Sequence, residues 1–189
     1  MSHIGLEETL LGGQSFSWTA TTESSWKGVI GKSVVELRLT KDRLTWRTGK
    51  KHPFAEKKLR NYLWLDPSFA EAVDSLPWRS DPVLDRCMKA LPGLRILRQP
   101  MDEVLLVFLL SSVKSIPQIK EMKELVARKY GEPLELDLWS FPGWERLAEI
   151  PEAELRDLKM GYRAKYVHGV ARQIAINPSM LREVVEQPY

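Results

Sequence analysis

The pattern of hydrophobic and polar residues changes near the middle of the chain. Residues 6–46 are strand-like, and within them residues 14–18 alternate polar and aromatic side chains with the two-residue period of a half-buried strand. Three further strand-like runs follow, at residues 26–30, 34–39 and 43–47. Short turns at Gly31-Lys32 and Lys41-Asp42 separate them. Successive strands joined by short turns predict an antiparallel meander.

Beyond residue 100 the pattern becomes helical. Residues 101–112 are apolar on nearly all sides, which predicts a central buried helix. Ser115 and Pro117 then start another helix, and Gly131 lies just past its end. The remaining helices of this half are predicted to open at Phe141-Pro142 and Ile150-Pro151 and to cover residues 162–176.

The stretch between these two patterns is mixed. Residues 54–63 fit a short helix or a strand, whereas Asp66-Pro67-Ser68 and Ser80-Asp81-Pro82 are helix starts. Residues 94–98 are predicted to be extended and paired back onto the sheet. The predicted fold class is therefore α+β: an antiparallel sheet domain with flanking helices over residues 1–99, followed by an incomplete all-helical domain over residues 100–189.

Composition narrows the class of protein. In 189 residues, 43% hydrophobic content suffices for the core of one domain or two small ones. No apolar run approaches the roughly 20 residues of a membrane span, and the first residues lack the features of a signal peptide, so we expect no membrane partner and a cytoplasmic, nucleoid-associated location. Cys87 is the single cysteine, and the three histidines lack ligand spacing. We therefore expect no metal and no cofactor.

The net charge of +3 hides an uneven distribution. Between Lys27 and Arg60, eleven Lys or Arg residues stand against Glu36, Asp42 and Glu56, so that this stretch carries +8 and the remainder −5. A local basic field favours a polyanionic partner such as nucleic acid, although many proteins with basic surfaces bind none.

One late segment alternates aromatic and cationic side chains after a glycine. Residues 151–158 open like a helix, with proline in the first turn and acids near its positive end. Gly161 then supplies a conformation that a side chain would forbid. A helix starting at Tyr162 would aim backbone N–H groups, Tyr162 and Arg163 at phosphates or unstacked bases. The alternative is an ordinary helix–helix turn with Tyr162 half buried and Arg163 solvated.

Four stretches carry a resemblance to a known family. They are residues 12–18 (GGQSFSW), 97–100 (LRQP) leading into 108–112 (FLLSS), 141–142 (FP) and 161–167 (GYRAKYV). In this order they resemble the 8-oxoguanine DNA glycosylases of the helix-hairpin-helix superfamily. The resemblance implies duplex DNA containing oxidised guanine as the partner, bound across the junction of the two domains.

The resemblance also implies roles for single residues. Such enzymes extrude the damaged guanine, because the glycosidic bond cannot be attacked while the base is stacked. Gly13 matches the glycine whose carbonyl reads the proton that oxidation adds at N7, and Gln14 and Phe108 are assigned to damaged-base recognition with it. Tyr162 matches the aromatic residue that wedges into the stack, and Arg163 matches the residue that reaches the orphaned cytosine.

Two departures from the family concern DNA contacts. Where the family has asparagines after Ser-Ser, this chain has Val113 and Lys114, and where it has a further arginine, this chain has Gln118. Val113 can neither donate nor accept a hydrogen bond, so reading of the orphaned cytosine is expected to weaken. Lys114, Gln118 and Lys165 complete the predicted DNA contacts, with Lys114 placed to hold a phosphate.

A third departure concerns catalysis. In the family the catalytic lysine lies in a helical hairpin after a Leu-Pro-Gly-Val-Gly type turn, and an aspartate follows it. The sequence ends at residues 187–189 before such a hairpin, and Leu91-Pro92-Gly93 is not followed by a second glycine. A Schiff-base lysine must be kept neutral, but Lys114, Lys159 and Lys165 lie in polar segments. We assign no catalytic residue and expect an incomplete enzyme, or one that a second polypeptide completes with the missing hairpin.

Three hypotheses about function follow. The first is the front portion of an 8-oxoguanine glycosylase and abasic-site lyase, which binds DNA without cutting it. The second is a non-catalytic DNA-binding module on the same scaffold. The third is a protein-interaction domain derived from that scaffold, in which an incomplete helical domain exposes part of the helix predicted at residues 101–112.

Overall fold

The computed structural model describes residues 2–41 and 43–186. The predicted turn residue Asp42 and the chain end at residues 187–189 lie outside the described residues. The chain divides into two compact units. The first contains the residues up to Gly28 and Ser33–Gln99, and the second contains Val29–Lys32 and the residues from Pro100 onward.

The first unit holds most of a four-stranded sheet with strand order β1-β2-β3-β4. The strands are β1 (Trp18–Thr22), β2 (Ser25–Ile30), β3 (Ser33–Thr40) and β4 (Arg43–Thr48). Strands β1 and β2 pair antiparallel, as do β3 and β4. The predicted antiparallel meander is confirmed. Trp18 and Trp26 are buried beneath it, and the indole N–H of Trp18 donates to the Tyr62 hydroxyl at 2.9 Å.

The strand-like prediction is wrong before residue 18. A helix, α1 (His3–Leu11), occupies the start of the chain, and residues 14–17 form no regular strand. Ser2 caps α1 by accepting a hydrogen bond from the backbone N–H of Gly5 at 3.0 Å. Leu6 and Leu10 are both fully buried, since a spacing of four residues places them on one helical face.

Three helices follow the sheet in the first unit: α2 (Glu56–Tyr62), α3 (Ser68–Ser75) and α4 (Pro82–Ala90). A 3-10 turn at Pro77–Arg79 separates α3 from α4. Both predicted helix starts are confirmed. Asp81 caps α4, because its carboxylate accepts the backbone N–H groups of Val83 at 2.8 Å and Leu84 at 3.1 Å.

The segment at residues 94–98 is extended, but the prediction that it pairs with the sheet is wrong. Three of its N–H groups donate elsewhere: Arg95 N to Thr9 Oγ1 (3.1 Å), Leu97 N to Gln14 Oε1 (2.8 Å) and Arg98 N to the Tyr62 carbonyl (3.0 Å). Two polar side chains and the carbonyl at the end of a helix therefore accept the hydrogen bonds that a partner strand would accept. Hydrophobic periodicity does not reveal such acceptors.

The second unit is helical. Its helices are α5 (Met101–Ser111), α6 (Ile116–Tyr130), α7 (Trp144–Ala148), α8 (Glu152–Leu155), α9 (Arg163–Ile176) and α10 (Met180–Glu186). Helices α6 to α9 agree with the predictions, whereas α10 was not predicted. Apolar side chains from several of these helices form the core: Leu106, Leu110, Ile119, Met122, Val126, Leu147, Leu155, Val167 and Ile174.

Helix α5 is buried on one side only, so the predicted central buried helix is present but has an exposed side. Leu106 and Leu110 are fully buried, whereas Phe108 is 72% exposed. Glu103 lies on the buried side, where its carboxylate accepts from Lys123 Nζ at 2.7 Å and from the backbone N–H of Gly31 at 3.1 Å. This buried, paired charge fastens α5 to α6 and to Val29–Lys32.

None of the helices that the structure describes combines the length and the apolar character needed to cross a membrane. Within residues 2–41 and 43–186, no three His, Cys, Asp or Glu side chains are grouped so that they could hold a metal ion.

Candidate nucleic-acid interface

In the first unit, the glycine pair after α1 has the backbone geometry that requires glycine. The N–H of Gly12 donates to the Glu8 carbonyl at 2.9 Å, and a Cβ at Gly12 would lie 2.5 Å from that oxygen. Gly13 has a φ of 99°, which residues with side chains rarely adopt. The sequence therefore needs both glycines to make this turn. Reading of a base by the Gly13 carbonyl stays a prediction.

Gln14 is engaged within the protein at three atoms. Its amide Nε2 donates to the Arg95 carbonyl at 2.7 Å, and its Oε1 accepts from the backbone N–H of Leu97 at 2.8 Å. Its backbone carbonyl accepts from Gln99 Nε2 at 2.6 Å. Gln14 thus links the turn to the extended segment at residues 94–98. The predicted contact of Gln14 with a damaged base would require some of these bonds to open.

A groove of about 580 Å³ adjoins this turn. Its lining consists of Gly12 and Gln14 together with mostly apolar side chains, among them Trp64, Phe69, Val73, Leu76, Leu94 and Ile96. Arg95 also lines it, with Nε donating to the Trp64 carbonyl at 3.2 Å and the guanidinium 4.0 Å from the Phe69 ring centre. Burial lowers the pKa of Arg95. These contacts hold Arg95, Trp64 and Phe69 together in the groove lining next to the glycine turn.

In the second unit, the junction between α5 and α6 is exposed and strained. Val113 is 91% exposed and has a φ of 54°, a conformation that is unfavourable for a β-branched residue. The backbone N–H of Lys114 donates to the Ser111 carbonyl at 3.1 Å. Gln118 completes a capping box, in which its Oε1 accepts from the N–H of Ser115 at 3.1 Å. The side chain of Gln118 therefore already serves the start of α6.

A second strained junction precedes α9. After α8 the chain forms a π-helical segment, Arg156–Met160, in which Lys159 has a φ of 64°. Gly161 follows with a φ of 56°, and the space around its Cα is open. Lys159 Nζ forms an ion pair with Glu121. The predicted glycine break is thus present, and α9 begins directly after it.

Tyr162 and Arg163 differ in exposure although they are neighbours. Tyr162 is 50% exposed, whereas Arg163 is 4% exposed. The Arg163 guanidinium donates through Nη2 to the Ser112 carbonyl and through Nη1 to the Met160 carbonyl at 3.4 Å, and it lies 4.4 Å from the Tyr162 ring centre. The alternative with a solvated Arg163 is wrong. The role implied for Arg163 at the orphaned cytosine stays a prediction, and it would require the guanidinium to leave these carbonyls.

The exposed surface around Tyr162 is aromatic and cationic. The Tyr166 ring lies 6.3 Å from the Tyr162 ring at nearly a right angle, and Tyr166 is 57% exposed. Lys165 is exposed between them in sequence. A surface with two half-exposed aromatic rings and a nearby ammonium group can stack on bases and attract phosphates.

Sequence analysis did not assign two residues of this surface to the site. Ser112 contacts both Tyr162 and Arg163, because its hydroxyl oxygen lies 2.9 Å from the Tyr162 hydroxyl and its carbonyl accepts from Arg163. No sequence signal marks this long-range role. Tyr166 could have been found, since residues four positions apart on a helix lie on one face and Tyr162 was already selected.

The family of the chain follows from comparison with known proteins. Residues 1–105 match the family model described as 8-oxoguanine DNA glycosylase, N-terminal domain. The N-glycosylase/DNA lyase OGG1 of Arabidopsis thaliana is 30% identical over 184 residues, which is 94% of this chain and 50% of that protein. The chain therefore spans about half the length of this relative.

Solved structures give the same picture. The apo-form of the Clostridium acetobutylicum 8-oxoguanine glycosylase/lyase has a TM-score of 0.86 and 24% identity, covering 99% of this chain and 66% of that one, and shows the shared fold. The same enzyme in complex with double-stranded DNA containing cytosine opposite 8-oxoG has a TM-score of 0.80 and 26% identity, covering 92% and 60%. Because the family model matches more than half of the sequence, the chain belongs to the 8-oxoguanine DNA glycosylase family, whose N-terminal domain it contains.

Proposed function

We propose that this chain binds duplex DNA containing oxidised guanine and serves base excision of the 8-oxoguanine glycosylase and abasic-site lyase type. The observation that carries the proposal is the arrangement at the start of α9, where Tyr162 is held by Ser112 and Arg163 yet leaves half its surface free. An aromatic ring held in this way can enter a base stack without losing much further side-chain freedom.

In the proposal, each of the two predicted domains, residues 1–99 and 100–189, contributes its own residues to DNA binding. Gly13 would present its carbonyl to the damaged base, with Gln14 fixing the turn, and Phe108 would offer an exposed ring to the same base. Tyr162 would fill the space of the extruded nucleotide, because closing that gap offsets the cost of unstacking.

The proposed phosphate contacts are side chains at the two helix junctions. Lys114 and Lys165 each place an ammonium group beside an exposed turn or helix start, and Gln118 lies in the first turn of α6. Contacts of this kind position a protein on a duplex without reading its sequence. Reading of the orphaned base would fall to Arg163, after release from Ser112. A cytoplasmic, nucleoid-associated location follows from a DNA partner and belongs to the same proposal.

The second candidate is a DNA-binding module without chemistry. It is favoured by the state of Lys159, which is engaged by Glu121 rather than directed at a ligand. Lys114 and Lys165 lie at partly or fully exposed positions, so neither occupies the desolvated pocket that a Schiff-base amine needs. Borohydride reduction of this chain with an 8-oxoguanine duplex separates the candidates: we expect no covalent adduct, and an adduct would show that one of its own amines reacts. A second polypeptide that produces trapping would show that it supplies the reactive amine.

The proposed lesion binding is tested by fluorescence anisotropy with two duplexes that differ only in 8-oxoguanine or guanine opposite cytosine. We expect tighter binding to the lesion, and about tenfold weaker binding of Tyr162→Ala, because stacking on one base contributes about 1–3 kcal/mol. Ile176→Ala, an exposed apolar residue on the same helix, is the matched control. Equal affinity for both duplexes, or no loss in Tyr162→Ala, would refute the proposal.

A further inference from the structure

Three arginines share the outer face of the β3–β4 ladder. Arg38 on β3 pairs with Thr45 on β4, and Arg43 and Arg47 lie two residues to either side of Thr45. Because side chains alternate along a strand, these four residues point to the same face. All four are exposed, whereas the alternating positions between them carry apolar residues that face the core. We call Arg38, Arg43 and Arg47 the arginine face.

The arginine face brings together three arginines that lack a side-chain partner among the described residues, a property that they share with Arg172 and Arg182. Six arginines form ion pairs with a carboxylate: Arg60, Arg79, Arg98, Arg128, Arg146 and Arg156. Within residues 2–41 and 43–186, no side chain of the arginine face makes an ion pair or a hydrogen bond. Glu36 lies opposite Arg47 in the ladder, yet these two are not in an ion pair either.

The spacing of the arginine face suits a repeating anion. Residues four positions apart on a strand are separated by about 13 Å, and diagonal neighbours across a ladder by about 7–8 Å. The three guanidinium groups can therefore reach several phosphates of one duplex, on which each strand carries a charge about every 3.4 Å along the axis. Guanidinium groups bind phosphate oxygens in a bidentate manner. This geometry favours the phosphates of a duplex over loosely associated small anions.

We propose that the arginine face binds the phosphate backbone of duplex DNA, as a second contact surface separate from the residues assigned to the lesion. The proposal rests on the proposed function only for the identity of the polyanion. It gives a role to three of the eleven cations between Lys27 and Arg60, a stretch that the predicted lesion-reading residues do not use. Such contacts carry no base information, so they add affinity for any duplex.

The test compares two triple variants of the 189-residue chain. In the first, each arginine of the arginine face is replaced by glutamine. In the second, three exposed, ion-paired arginines are replaced in the same way, namely Arg79, Arg128 and Arg146. Both variants lose three positive charges at exposed positions, and in the control each loss also leaves a carboxylate without its ion-pair partner. Binding to an undamaged duplex is measured by anisotropy over a range of salt concentrations.

We expect the slope of log affinity against log salt to fall by about 2–3 in the arginine-face variant, since each neutralised phosphate contributes about 0.9. The control variant should keep nearly the full slope. Glu36→Lys adds a cation to the same face and should strengthen binding and raise the slope by about 1, a gain that misfolding cannot produce. An unchanged slope in the arginine-face variant, or equal losses in both triple variants, would overturn the proposal.

Two further readouts assign a failure to its cause. The preference for 8-oxoguanine over guanine should be the same in the arginine-face variant and in the unmodified chain, whereas Tyr162→Ala weakens lesion binding. If the unmodified chain shows no lesion preference, the proposed function fails, while the salt slopes still test whether the arginine face binds DNA.

Vesicles rich in phosphatidylserine serve as the competing polyanion. Loss of vesicle binding with unchanged DNA binding in the arginine-face variant would assign this face to lipid and overturn the proposal.

Discussion

The hydroxyl oxygens of Ser112 and Tyr162 lie 2.9 Å apart, and this contact joins the residue after α5 to the residue before α9. Ser112 also accepts the Arg163 guanidinium through its carbonyl. One serine therefore holds both members of the aromatic–cation pair. The exposed ring of Tyr162 is oriented from two sides, by a hydroxyl and by a stacked guanidinium.

Replacing Arg163 with methionine should destabilise the protein by about 2 kcal/mol, because the carbonyls of Ser112 and Met160 lose the donor that Arg163 provides. Methionine keeps much of the volume, so the loss reports the hydrogen bonds rather than a cavity. The free energy of unfolding in urea measures the effect. Arg172→Met, on the exposed side of the same helix, should change it by less than about 0.5 kcal/mol. Equal stability of both variants would show that the bonds of Arg163 contribute nothing.

Val113→Asn should stabilise the protein by about 1 kcal/mol. Asparagine tolerates a positive φ far better than a β-branched residue, and Val113 is 91% exposed, so no burial is lost. Val113→Thr is the matched control, since it adds a polar atom but keeps the β-branch, and it should give no gain. Urea unfolding of both variants checks this, and a gain in the threonine variant would point to exposure rather than backbone strain.

Gln14→Leu should cost about 2–3 kcal/mol, because the carbonyl of Arg95 and the N–H of Leu97 would lose their side-chain partner in a partly buried place. Gln173→Leu, at an exposed position of α9, provides the comparison. Thermal and urea unfolding measure both. If Gln14→Leu left stability unchanged while lesion binding fell, Gln14 would act on the ligand and not on the turn.

Tyr130→Phe should remove a pH-dependent contribution to stability. The Tyr130 hydroxyl donates to Glu154 at 2.8 Å, and this bond, with a second from Lys129, lowers the pKa of Glu154 below its ordinary 4.5. A lowered pKa stabilises the fold above pH 4.5, and the contribution is lost as the pH falls through the lowered value.

The urea midpoint of Tyr130→Phe should therefore lie below that of the unmodified chain at pH 7, and the difference should shrink below pH 4.5. Tyr166→Phe is the control, because its hydroxyl makes no hydrogen bond within the part of the chain that the structure describes. A difference that stays constant from pH 7 to pH 3 would exclude Glu154 as the cause.

Local patterns predicted those elements whose signals lie within a few residues. The strands at residues 26–47 followed from alternation and short turns, and α4 and α6 from their caps. Helix α1 was missed because Leu6 and Leu10 were grouped with a strand-like run that follows the glycine pair. The extended segment at residues 94–98 was assigned to the sheet because nothing local shows that Thr9 and Gln14 take the place of a strand.

The sequence by itself determined the class of fold, the family and the aromatic–cationic segment at the start of α9. Each depends on the type of residue and on spacings of a few positions, and both can be read directly from the sequence. Only the tertiary structure decided that Arg163 is buried while Tyr162 is half exposed, and that the described side chains leave the arginine face unpaired while Arg60 and Arg128 are in ion pairs. These properties depend on which distant groups meet in the folded chain, and two adjacent residues can differ completely in that respect.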